Sequence, residues 1–228
     1  MKLTAIATGH KRLDRILNGG INVGELTLIY GEAGTGKTAI ALSCSATCAL
    51  LGFKTIYLTS EKPFPAERLA SIIRRNLGRV ARKIIVIELE DFKQQLETIE
   101  KLDYFITPSV GLVVVDTITA RYREAISKGV NSISANKSLN RQLAMLRHIA
   151  EKNKVAVIVT GQVREVLGEE REEVVATKVM QFWPNTIIRL EKHGPRRIAF
   201  IEKSDNKAAL GCRMLFKMTS RGIEDGEW

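Results

Sequence analysis

The stretch Gly31-Glu32-Ala33-Gly34-Thr35-Gly36-Lys37-Thr38 satisfies GxxxxGK[ST] at every specified position. It follows the apolar run Leu26–Tyr30 and opens a helical pattern over residues 37–51. That strand–loop–helix setting is what gives the motif its meaning. Gly31, Gly34 and Gly36 permit the backbone turns that aim successive N–H groups, those of Glu32, Ala33 and Thr35 among them, at phosphate oxygens. The helix beginning near Lys37 adds its positive end. The Lys37 ammonium suits β- and γ-phosphates, and the Thr38 hydroxyl suits Mg²⁺. The segment therefore predicts a nucleotide triphosphate site. No NKxD string occurs, which argues against guanine selectivity and leaves ATP with Mg²⁺ as the expected ligands.

Outward from this loop, short runs rich in Ile, Val and Leu recur at Thr55–Thr59, Ile84–Glu88, Leu112–Asp116 and Val155–Thr160. Near-continuous apolar runs of this kind suit strands buried on both faces of a parallel sheet. Helical patterns lie between them. Pro65–Leu77 places Leu69, Ile72, Ile73 and Leu77 on one face with Gly78 beyond the end. Asp91–Leu102 carries Phe92, Leu96, Ile99 and Leu102 behind an N-capping Asp91. Leu139–Ala150 repeats the pattern with Leu139, Leu143 and Leu146. After residue 185 the alternation gives way to Thr186–Glu191, Arg197–Glu202 and Arg213–Met218, with a tight turn at His193-Gly194-Pro195. The expected fold is α/β: a mainly parallel twisted sheet flanked by helices, extended by a C-terminal antiparallel hairpin. No repeat or linker divides it, so residues 1–228 are read as a single domain.

Hydrolysis requires a metal carboxylate and a group that orients or deprotonates water. Asp116 closes Gly111-Leu112-Val113-Val114-Val115-Asp116, which puts an acid at the C-terminal edge of a strand, where ligands bind in open α/β sheets. It is the candidate metal residue beside Thr38. The position after it is Thr117, so the base must come from elsewhere. Glu61, just beyond the strand Thr55–Thr59, reaches the same edge and is the candidate general base.

Composition sets the remaining limits. With 35 Lys and Arg against 25 Asp and Glu, the net charge is +10, which favours anionic partners without naming one. Apolar residues at 45% exclude a disordered chain. Cys44, Cys48 and Cys212 are odd in number and form no CxxC, so free thiols in a reducing cytoplasm are expected. Three scattered His offer no metal cluster. No secretory signal is visible. The most membrane-like run, Ala39–Phe53, contains Ser43, Ser45 and Thr47 and is shorter than the about 20 residues of a membrane span, so no membrane partner is expected. Two charged stretches stand apart: Arg74, Arg75, Arg79, Arg82 and Lys83 without an acid between them, and the acidic Arg164–Glu173.

Together these motifs resemble the RecA/RadA recombinase superfamily. Thr8-Gly9-His10-Lys11-Arg12-Leu13-Asp14, with Gly19-Gly20-Ile21 and Gly24, is similar to the family's TGxxxLDxxLxGGI lead-in. Tyr57-Leu58-Thr59-Ser60-Glu61, with Phe64 and Glu67-Arg68-Leu69, resembles YIDTEGTFRPERL. Asp116-Thr117 with Ala120, Tyr122 and Arg123 resembles VDSxxALYR, and Val157–Val163 resembles VVxTNQV. The likeness runs from Thr8 to about Gly222 and implies a RecA-like P-loop NTPase core. It places Glu61 on the catalytic glutamate, Arg68 on the arginine that stacks on adenine, and Gln162 on the residue that senses the γ-phosphate and leads into DNA-binding loops. The likeness starts at the core motifs, so a counterpart of RadA's N-terminal DNA-binding domain is not expected. Ile201–Asp205 occupies the place of the family's ATP cap, with Lys203 as a candidate contact to a neighbouring subunit's nucleotide.

The resemblance implies a weak ATPase that binds DNA, single-stranded DNA above all, modulates a RadA-type recombinase and can form homo-oligomers. Backbone-directed contacts are expected from Arg164, Lys178 and the cluster headed by Arg74 and Arg75. A regulatory ATPase without DNA binding, similar to single-domain relatives of the clock protein KaiC, is the alternative that the acidic loop after Gln162 favours. A small-molecule kinase would need an acceptor pocket and an Arg-rich lid, and neither is visible.

Overall fold

The computed structural model describes residues 3–60, 63–73, 76–165, 172–219 and 222–225. In chain order the elements are β1 (Ala5–Ile6), α1 (Lys11–Ile16), β2 (Ile21–Asn22), β3 (Leu26–Gly31), α2 (Lys37–Leu50), β4 (Lys54–Thr59), α3 (Ala66–Ile72), α4 (Leu77–Ala81) and β5 (Ile84–Glu88). They continue as α5 (Phe92–Phe105), β6 (Val110–Asp116), α6 (Ile118–Ser127), α7 (Ser132–Asn153), β7 (Ala156–Gly161), β8 (Val163–Glu165), β9 (Glu172–Val174) and α8 (Thr177–Phe182). The last four are β10 (Thr186–His193), β11 (Arg196–Lys203), β12 (Arg213–Thr219) and β13 (Gly222–Asp225).

One nine-stranded sheet organises the molecule in the order β13-β12-β11-β10-β3-β7-β6-β4-β5. From β5 to β10 neighbouring strands run parallel. From β10 onward the pairing is antiparallel, and Gly194-Pro195 forms the two-residue turn between β10 and β11. The expected hairpin is thus part of a four-strand meander ending in β13. The apolar runs are near-continuous because alternate side chains feed two cores. Leu28, Val113, Val115, Val157 and Val159 pack with α5, α6 and α7. Ile29, Leu112, Val114, Ala156 and Ile158 pack with α1 and α2. Alternation with period two on a sheet covered on both sides requires this.

The helical pattern over 65–77 does not form one helix. α3 ends at Ile72, Ile73 takes an extended conformation, and α4 starts behind Asn76 at φ +64°. Ile73 is buried, so the break follows its side chain into the core; Gly78 lies inside α4 instead of beyond a helix end. Asp91 caps α5 as expected, its carboxylate accepting from the Gln94 amide at 2.8 Å. The pattern centred on Leu139–Ala150 extends to a helix of 22 residues, capped by Asn131. Among the described residues no helix is long and apolar enough to cross a membrane.

Candidate nucleotide-binding site

β3 delivers the chain to the loop, and α2 receives it. Gly31, at φ +155°, stands so close to β10 that a Cβ there would lie 2.1 Å from the Leu190 carbonyl oxygen. Gly36 is the N-cap of α2 at φ +109°, and no side chain caps the helix. A Cβ on Gly36 would come within 2.8 Å of Met218 Sδ on β12. Gly31 therefore demands glycine for conformation and for space, and Gly36 for its conformation, since the Met218 thioether can give way. The first amides of α2 have no partner within the helix, and the absence of a side-chain cap leaves that end suited to an anion. Lys37 is buried, and its Nζ donates to the carbonyls of Gly31 at 2.7 Å and Glu32 at 2.6 Å. Thr35 Oγ1 donates to the Glu32 carbonyl, and the Thr38 side chain remains half-buried at the first turn of α2.

The outer wall of the loop comes from the antiparallel strands. Lys192 pairs with Glu32 at 2.8 Å, and Arg197 Nε donates to the Gly34 carbonyl at 3.1 Å. Ala33 and Gly34 are exposed.

Asp116 ends β6 at the same edge. It is 4% exposed, and both carboxylate oxygens accept hydroxyl protons: one from Tyr57 on β4 at 2.6 Å, the other from Thr160 on β7 at 2.5 Å. A carboxylate offers about four lone-pair directions, so capacity remains for water held by a metal. The glycine cradle, the Thr38 hydroxyl and this oxygen donor suit a triphosphate with Mg²⁺, a hard cation that keeps several waters. Tyr57 and Thr160 were not legible as site residues. The one signal was a hydroxyl within each strand, and β4 offers Thr55 and Thr59 beside Tyr57.

Around Asp116 the strand exits are tied together. The Ser60 amide donates to the Asp116 carbonyl at 3.0 Å, while Ser60 Oγ accepts from the Thr117 amide and donates to the Thr117 carbonyl. Thr117 Oγ1 caps α6 by accepting from the Ala120 amide. Gln162, just past β7, donates its amide to Thr119 Oγ1 at 3.0 Å, and its side-chain oxygen accepts from Arg123 at 2.6 Å. Arg121 donates to the carbonyls of Ser60 and Leu89 and to Glu124. Hydrogen bonds from Lys128 and Arg121 hold the Glu124 carboxyl below its ordinary range. Sequence reasoning passed over Arg121, which looks like a surface cation on an amphipathic helix.

The other candidates separate. Arg68 is exposed on α3, which packs against α2. Lys178 is exposed on α8 and lines a groove of about 870 Å³ with Tyr122, Arg123, Ser127, Ser132 and Thr177. Lys203 Nζ donates to the carbonyls of Gln181 and Phe182 in its own chain, and burial lowers its pKa. Glu61, Arg74 and Arg75 lie outside the described residues. The backbone of Arg164 is in β8, and its side chain lies outside the description.

A mainly parallel sheet with a glycine cradle after β3 and a strand-end aspartate on β6 is the RecA-like architecture of P-loop nucleotide-binding proteins. The chain belongs to the Rad51 family, whose sequence profile matches residues 1–226. It is 36% identical over 213 residues to the DNA repair and recombination protein RadB of Methanocaldococcus jannaschii, covering 93% of this chain and 98% of that one. RadB of Thermococcus sibiricus is 35% identical over 226 residues, covering 97% and 96%. A solved structure described as the crystal structure of the RadB recombinase superposes with a TM-score of 0.81 at 34% identity, covering 97% of this chain and all of that one.

Proposed function

We propose that the chain is a weak Mg²⁺-dependent ATPase of DNA repair and recombination that binds single-stranded DNA and modulates a RadA-type recombinase in the cytoplasm. The cradle carries this reading: glycine-only backbone at Gly31 and Gly36, Lys37 at its inner wall, and an uncapped α2. The amides of residues 32–37 and the Lys37 ammonium bind the phosphates. Thr38 and Asp116 hold Mg²⁺, which offsets charge on the β- and γ-phosphates. Glu61 takes the proton of the attacking water. Arg68 offers a planar guanidinium to adenine, and Gln162 senses the γ-phosphate. Residues 1–228 act as one RecA-like core, and assembly into a homo-oligomer belongs to the same reading.

The groove between α6, α7 and α8 supports the DNA reading. It combines Arg123 and Lys178 with hydroxyl groups, a set suited to phosphate oxygens and silent toward base identity. Arg164, Arg74 and Arg75 extend the basic set in the sequence. ATPase rates with and without single-stranded DNA, alongside gel shifts at two salt concentrations, test the proposal. DNA retention that weakens with salt supports it. ATP turnover without any shift at low salt supports a DNA-free regulatory ATPase instead.

A further inference from the structure

Lys192 and Arg197 stand opposite each other across the β10–β11 ladder. Two cations directly opposite on antiparallel strands destabilise a sheet. Here both reach the phosphate loop. Lys192 pairs with Glu32 at 2.8 Å, and Arg197 Nε donates to the Gly34 carbonyl at 3.1 Å. The two contacts are not equivalent. The side chains of Lys192 and Glu32 are 43% and 38% exposed, and an ion pair so open to water contributes little. Arg197 is half-buried, and one of its terminal nitrogens donates to the carbonyls of Arg196 at 2.8 Å and Gly194 at 3.3 Å. Its guanidinium is thus fixed to the hairpin turn while Nε holds the loop.

The crest of the loop depends on this contact. The Glu32 carbonyl accepts from Lys37 Nζ, Thr35 Oγ1 and the Thr35 amide, all within the loop. The Gly34 carbonyl takes its donor from β11. A Cβ at Gly34 would meet nothing nearer than Lys192 Cε at 4.0 Å, so packing does not settle the orientation of this peptide group, and glycine tolerates more than one. The Gly34 carbonyl and the Thr35 N–H belong to a single planar trans peptide group and point in opposite directions. Holding the oxygen therefore sets the direction of the Thr35 amide. We propose that Arg197 is a positioning residue for the nucleotide, clamping the crest so that its amides are aimed before phosphate arrives. This rests on the reading of residues 31–38 as the triphosphate site. A planar fork serves hairpin and loop at once, whereas a lysine ammonium is a point donor on a flexible stem. Donors ordered in advance lower the cost of binding, so the clamp acts on affinity.

The test is calorimetry of a non-hydrolysable Mg-ATP analogue with the wild-type chain, Lys37→Ala, Arg197→Met and Arg197→Lys, alongside the melting temperature of each nucleotide-free protein. Lys37→Ala should lose binding. Arg197→Met should bind about tenfold more weakly, the scale of one hydrogen bond made by a charged group. Its melting temperature should not fall, because the change also removes a cross-strand repulsion. Arg197→Lys keeps the charge without the fork and should recover only part of the affinity. Loss of binding in Lys37→Ala with wild-type affinity in Arg197→Met overturns the clamp alone. Full recovery in Arg197→Lys means that charge suffices, and it also overturns the clamp. No binding by the wild-type chain, or wild-type binding in Lys37→Ala, overturns the cradle reading and the clamp with it. Should Arg197→Met melt lower than the wild type or fail to fold, Arg197→Lys decides: weaker binding at the wild-type melting temperature supports the clamp, and wild-type affinity overturns it.

Discussion

Asp116 accepts from hydroxyls on both strands that flank β6, so its carboxylate is aimed before any ligand arrives. Asp116→Asn retains an acceptor for one hydroxyl and can donate to the other, so it should fold, at a cost on the order of 1 kcal/mol. Its Mg²⁺-dependent turnover should be lost, which a magnesium titration of ATPase activity reads directly. Lys37→Ala should abolish ATP binding, measured by calorimetry. Burial pushes the Cys48 thiol up to about 11 and the Cys44 thiol higher still, so both are protonated at neutral pH. Cys212 is half-exposed, and iodoacetamide should label it first in the native protein, with Cys44 and Cys48 reacting only after denaturation. Mass spectrometry of the labelled peptides shows the order. At this scale the loop and Asp116 were legible because each is a local string. Tyr57, Thr160 and Arg121 were not, since parallel register and helix docking bring them in from distant parts of the chain.

Helix ends show where local rules suffice. Asp91 caps α5 through one exposed carboxylate contact, so Asp91→Ala should destabilise the protein by about 1 kcal/mol, seen as a lower urea midpoint at constant slope. Cap and periodicity were both readable there. The segment after Pro65 shows the limit. Its apolar spacing fits one helix, yet burying Ile73 and turning at Asn76 splits it into α3 and α4, a tertiary demand that spacing does not encode. α6 escaped notice for a related reason: its opening Thr117 cap lies inside the string read for its carboxylate. The parallel strands were legible nearly to the residue; in β6 and β7 burial on both faces leaves little but Ile, Val and Leu, whereas β5 reads alike at the sheet edge with Ile85 and Val86 exposed.

Across the whole molecule, a charge of +10 and a groove lined by Arg123 and Lys178 make salt the natural probe. Log affinity for single-stranded DNA should fall against log salt by about 0.7 per phosphate contacted. Lys178→Glu should weaken binding for all sequences alike and flatten that slope, measured by fluorescence anisotropy. The comparison of sequence and structure is most uneven in the last third of the chain. Its strands were expected, but their partnership with the cradle was not: Leu190 against Gly31, Lys192 on Glu32, Arg197 on Gly34 and Met218 against Gly36. A ribosome therefore completes the phosphate-binding string long before it makes the strands that brace it. A nascent chain stalled ahead of β10 carries every letter of the motif without its supporting wall, and nucleotide capture becomes a late event in the protein's synthesis.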